Sequence, residues 1–310
     1  MMKALAAFIM RGRLYAGVVV VASAALALVL PPFTGPLIYF SAAGVGLVTL
    51  RAGAAQGLLM LAGSGAAVAV MGLLALDNPG LGVVYAVMVW LPVWALAAVL
   101  RRTGSLALTL GCAGFMGALL VSGVHLWSAD PVAVWRDVLE NSLKPALEQA
   151  GVVLDPAKMG QLLNEMALVM TAMIAAIMVA TYSVSLLLAR WWQALLYNVG
   201  GFRKEFHSLH FGRAFALPVI LLVIAGSVTQ GAMRQWLLAL VAVTVVVYMF
   251  QGLAFVHRTV ALRNAHRMWL VAVYGLLLVM LPQMSVALAV AGLLYSVGFA
   301  GMTSDDRTGQ

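Results

Sequence analysis

Between Arg51 and Arg101 the chain carries a single charged residue, Asp77, and between Arg102 and Asp130 it carries none. Runs of this kind match a hydrocarbon layer about 30 Å thick, which a helix of about 20 apolar residues crosses. They do not suit a water-soluble fold, whose charged surface takes roughly a quarter of its residues. Here only 9% of 310 residues are charged and 64% are hydrophobic. A soluble domain could not cover that much apolar surface. The sequence therefore predicts an all-α, polytopic transmembrane helix bundle forming one integral membrane domain over residues 1–310, with little chain left for a separate soluble domain.

Charges, prolines and glycines divide the chain into ten expected spans, at about 14 to 30, 36 to 50, 52 to 76, 81 to 100, 105 to 127, 166 to 189, 214 to 229, 235 to 256, 268 to 281 and 284 to 302. The second and ninth are short for the core and can be re-entrant or join their neighbours, so eight spans is the alternative. The first resembles a signal sequence, with Lys3, Arg11 and Arg13 ahead of an apolar run that ends at Pro31-Pro32. Its length, and the hydrophobic segments that follow at once, make it a retained span.

The basic residues test that parse independently, because Lys and Arg gather in cytoplasmic loops. With the N-terminus inside, four of the eighteen fall outside, namely Arg136, Lys144, Lys158 and Arg234. The other fourteen fall inside, and ten spans return the C-terminus to the cytoplasm. The net charge of +8 is then explained by orientation and by anionic inner-leaflet lipid. It needs no nucleic-acid partner. The expected location is the bacterial inner membrane, crossed many times.

Two aqueous segments interrupt the spans. In the outer one, residues 128–165, Val134, Trp135, Val138, Leu139, Leu143, Ala146 and Leu147 share a stripe, with Asp137, Glu140, Lys144 and Glu148 largely off it. This predicts an amphipathic helix, broken after Gly151, and a second short helix from Asp155 or Pro156 leading into the sixth span. Its functional reading is a lid over an outward-facing cavity, and its plain reading an interfacial connector. In the inner segment, residues 190–213, Trp191, Trp192 and Tyr197 suit the headgroup level. Asn198-Val199-Gly200-Gly201 then breaks the helix. Beyond it Phe202, Phe206 and Leu209 recur at helical spacing beside Arg203, Lys204, His207 and His210, the pattern of a basic amphipathic helix on a membrane surface. Trp191, Trp192, Phe202, Arg203, Lys204, Phe206 and Arg213 are the candidate residues for docking a partner or lipid.

The stretch Leu186 to Arg213, with its Trp-Trp-Gln, Tyr-Asn and Gly-Gly ahead of a basic amphipathic turn, resembles the YybS-like family of bacterial polytopic membrane proteins, over nearly the whole chain. That family is distantly grouped with the substrate-binding S-components of energy-coupling-factor transporters and with MreD-like cell-shape proteins. The resemblance thus implies a transport component or an envelope scaffold, and carries over no catalytic or binding residue. S-components dock through an Ala-x-x-x-Ala pattern on the first helix, where residues 14 to 30 offer Ser23 and Ala27.

Catalytic and energy-coupling signatures are missing from the sequence. No Asp, Glu, Lys or Arg lies near the centre of an expected span, where ion-driven pumps keep such groups despite a cost of several kcal/mol. Neither a P-loop nor a dinucleotide fingerprint occurs. His207 and His210 lack further ligands, and the lone cysteine, Cys112, lacks a second thiol. No cofactor or metal is expected, and no enzymatic activity. Small residues such as Gly44, Gly46, Gly53 and Gly57 suit close helix packing. Gln56, His125, Tyr182 and Gln251 are candidates for lining a neutral polar cavity, the alternative being that such groups satisfy one another between helices. The leading expectation is a non-enzymatic solute-binding or transport-associated component without its own energy-coupling engine. The alternative is a scaffold in cell-envelope machinery. Expected partners are the lipid bilayer, a membrane or cytoplasmic protein and a small-molecule ligand.

Overall fold

The computed structural model describes residues 1–29, 34–151 and 155–305. Pro31-Pro32, residues 152–154 of the predicted break and Arg307 lie outside them. Among the described residues the chain is helical throughout its regular structure, without strands. A short α1 (Met2–Ile9) precedes α2 (Arg13–Val29), α3 (Leu37–Ala52), α4 (Ala54–Leu76), α5 (Gly80–Thr103) and α6 (Leu106–Trp127). The outer segment forms α7 (Pro131–Gln149) and opens α8 (Pro156–Tyr197). Then come α9 (Gly201–His207), α10 (Gly212–Val228), α11 (Gly231–Leu262), α12 (Met268–Val279) and α13 (Leu281–Asp305).

Every predicted span falls on a helix, but not every helix has spanning length. Among the described residues six are long and apolar enough to cross a membrane: α4, α5, α6, α8, α11 and α13. α9 and α10, bent by 52° at the turn between them, together make up to a seventh, while α2, α3 and α12 are shorter apolar helices. The chain divides into two compact units, one of residues 1–113, 180–210 and 253–273, the other of residues 114–179, 211–252 and 274–310.

In the first unit α3 is the central element. Every residue from Ser41 to Leu50 is buried, because α2, α4 and α5 pack around it and the C-terminal part of α8 touches it at Gly46, where an added Cβ would stand 2.9 Å from the Ala189 Cβ. A helix that is apolar all round buries all round. Its 16 residues reach only about 24 Å, so its shortness goes with protein, not lipid, on every side.

α5 contains a π-helical turn, Tyr85–Trp90, immediately before Pro92. Proline lacks the N–H that would bond the carbonyl four residues back, which is that of Met88. The Tyr182 hydroxyl of α8 donates to that carbonyl at 2.8 Å. The same stretch is pinned twice more. Trp90 Nε1 donates to Ser41 Oγ at 3.0 Å, Ser41 Oγ donates to the Val20 carbonyl at 2.8 Å, and the Tyr85 hydroxyl donates to the Ala24 carbonyl at 3.3 Å.

In the second unit α7 begins at an Asp130 cap, whose Oδ1 accepts from the Val132 and Ala133 N–H groups at 3.1 Å, with Pro131 following where a missing N–H costs nothing. Its stripe closes on the start of α8. Leu139 packs with Met159, Leu163 and Ala167, and Trp135 Nε1 donates to Thr171 Oγ1 at 2.8 Å. Of the predicted stripe Leu139 is buried, Val134, Trp135, Leu143 and Leu147 are half-buried, and Val138 and Ala146 stay exposed. The expected separate helix from Pro156 instead runs straight on. α8 is one helix of 42 residues, about 63 Å long, so it outruns the hydrocarbon core. α11 and α13 meet backbone to backbone: a Cβ on Gly252 would collide with the Leu288 carbonyl group.

Candidate functional site

The distinctive surface is the inner segment, where α8 ends and α9 folds back in the first unit. α8 stops at Tyr197, the chain turns through Gly200 at φ 84°, and α9 starts at once. A side chain other than glycine rarely adopts that φ. Arg190 of α8 then grips α9: its Nε donates to Glu205 Oε2 at 2.8 Å and its Nη2 to Glu205 Oε1, a bidentate pair with both side chains about a quarter exposed. The fork geometry fixes orientation as well as distance.

Arg190 Nη1 also donates to Gln193 Oε1, and Gln193 Nε2 donates to the Leu50 carbonyl at 3.4 Å, where Arg101 Nη1 donates at 2.8 Å. That carbonyl lies in the last turn of α3, where helix carbonyls lack intrahelical donors and the dipole favours cations. The Arg51 guanidinium sits 4.2 Å above the Tyr197 ring, a cation–π contact. Arg190, Gln193, Arg101 and the end of α3 therefore form one lattice.

The candidate docking residues separate within this frame. Arg203 and Lys204 are exposed, Phe202 and Trp191 half-buried. Trp192, expected at the headgroup level, is fully buried and packs on Phe40 at 5.8 Å. Phe206 and Leu209 are buried too, Phe206 stacking on Phe202 and meeting His257 edge-on at 5.7 Å. The apolar side of α9 is thus spent on the protein rather than on lipid. Arg213, in the second unit, is exposed, and its Nε donates to the Val297 carbonyl at 3.1 Å.

The four candidates for a polar cavity are placed differently from one another. Tyr182 serves the carbonyl freed by Pro92. Gln251 is fully buried in the second unit. Its Oε1 accepts from the Phe211 N–H at 2.6 Å, and its Nε2 donates to Ser296 Oγ at 2.7 Å and to the Gly292 carbonyl. His125 Nδ1 lies 2.9 Å from the Val121 carbonyl of its own helix, and Gln56 is half-buried on α4. Tyr182 and Gln251 are helix-to-helix pins.

Beside α9 lies a recess of about 500 Å³ that the sequence did not reveal, lined by Arg203 and His207 of α9, His257 of α11, and Asn264 and Arg267 of the turn before α12. Burial, then the charges of Arg203 and Arg258, make the His207 imidazole harder to protonate than usual. Among the described residues no group of three His, Cys, Asp or Glu is placed to hold a metal ion. No family model, no curated protein and no solved structure matches this chain.

Proposed function

We propose that the chain is a multi-pass protein of the bacterial inner membrane, crossing ten times with both termini inside, and that it acts as a non-enzymatic, transport-associated or solute-binding component whose energy comes from a partner. The crossing number counts the six long helices, α10 of the bent pair with α9 left at the inner surface, and the three shorter apolar helices. The charge bias supports the orientation, with four of eighteen basic residues on the outer side. The likeness of residues 186–213 to the YybS-like family agrees with this reading.

The observation that carries it is the clamped α9. A bidentate ion pair fixes the helix through Glu205 while Arg203 and Lys204 stand exposed. A rigid, exposed basic face lowers the ordering cost a partner incurs on binding, and opposite charge steers the encounter. Replacing Arg203 and Lys204 by Glu leaves twelve of the fourteen basic residues assigned to the cytoplasmic side to set orientation, so insertion persists while partner capture from native membranes, read by mass spectrometry, is lost. Retention of every copurifying protein at wild-type yield refutes the docking role.

A further inference from the structure

The recess beside α9 is lined from three directions. Arg203 and His207 come from α9, His257 from α11, and Asn264 and Arg267 from the turn between α11 and α12. Asn264 takes a left-handed backbone, φ 48°, a conformation that asparagine tolerates better than most residues. Its volume of about 500 Å³ falls within the ligand-pocket range of about 300–1,000 Å³.

Among the described residues no carboxylate lines it. The nearest acid in sequence, Glu205, is committed to Arg190. Two arginines therefore line a recess that has no acidic counter-charge among the described residues of its wall, a setting that suits an anionic ligand. Guanidinium forks match the paired oxygens of a phosphate, and imidazole and amide groups add directed donors. Burial first, and then the charges of Arg203 and Arg258, oppose protonation of His207, and an anion in the recess would offset the part due to charge.

We propose that this recess binds a phosphate group, held by Arg203 and Arg267 with His207, His257 and Asn264 as further donors. The phosphate belongs either to an anionic lipid headgroup or to a soluble phosphate ester. Basic pockets between helices at the cytoplasmic surface take headgroups, and the lipid source rests on the inner-face orientation proposed above. The soluble source does not. The recess is separable from partner docking, because Lys204 is not in its wall and Arg267 is not on α9.

The test uses the full chain in nanodiscs of phosphatidylcholine alone or with phosphatidylglycerol, titrated calorimetrically with glycerol 3-phosphate. Arg267→Gln weakens binding at least tenfold. Arg263→Gln, which removes the same charge from the same turn outside the recess wall, leaves it within twofold and controls for folding. Equal binding in both discs identifies a soluble ester, while suppression by phosphatidylglycerol, with that lipid retained by wild type and lost from Arg267→Gln in native mass spectrometry, identifies the headgroup. The proposal is overturned if neither the soluble probe nor the lipid distinguishes wild type from Arg267→Gln, or if Arg263→Gln weakens binding equally. Partner capture that survives in Arg267→Gln but fails in the Arg203 and Lys204 double variant separates this result from the docking role.

Discussion

Pro92 and Tyr182 form a compensating pair, and a double-mutant cycle measures it. Proline at position 92 removes the donor for the Met88 carbonyl, and the Tyr182 hydroxyl, on a residue 5% exposed, replaces it at 2.8 Å. Tyr182→Phe keeps the ring and its packing but strands the carbonyl. An unsatisfied buried polar group costs about 1–3 kcal/mol. Side-chain hydrogen bonds within membranes have measured at about 0.6 and at most about 1.7 kcal/mol. The two ranges overlap at about 1–1.7 kcal/mol, which is the expected loss. In a Pro92→Ala background residue 92 regains an N–H within reach of the Met88 carbonyl, and Tyr182→Phe then costs no more than about 0.5 kcal/mol. The coupling is about 1 kcal/mol, within the range for residues sharing one network. Reversible unfolding of the detergent-solubilised protein by rising SDS mole fraction, followed by tryptophan fluorescence, gives all four corners of the cycle. Equal costs for Tyr182→Phe in both backgrounds would refute the compensation, and the hydroxyl would then be free to serve a ligand.

Gln251→Met keeps side-chain length but removes three hydrogen bonds and strands the Phe211 N–H. The expected loss is about 2–3 kcal/mol in the same unfolding assay, and a wild-type value would return Gln251 to the cavity candidates. Single cysteines near Glu148 and Lys204, in a Cys112→Ala background, label from opposite faces of sealed vesicles. Labelling from one face overturns the ten-crossing parse.

The sequence alone determined the helical class and the places where helices occur, because hydropathy and charge act on each stretch independently of its neighbours. Each predicted span coincides with a helix, and Arg203 and Lys204 of the inner segment are at exposed positions, since their charged ends have no apolar alternative to water or headgroups. The amphipathic stripe of α7 was likewise legible from its spacing. Tertiary structure decided what those elements pack against. Amphipathic spacing does not distinguish protein from lipid as the cover for an apolar face, so the expected membrane face of α9 became the buried seat of Phe206 and Leu209. For the same reason the short α3 gave no sign of being the wrapped centre of its unit. The roles of polar residues were equally hidden, because a hydrogen bond depends on who arrives opposite. Tyr182 meets a carbonyl 94 residues away and Gln251 an N–H 40 residues away, and the recess needs Arg203 and Arg267 from separate elements. Only chain folding brings such groups together, since the separations are far beyond the three or four residues over which a helix aligns its own side chains.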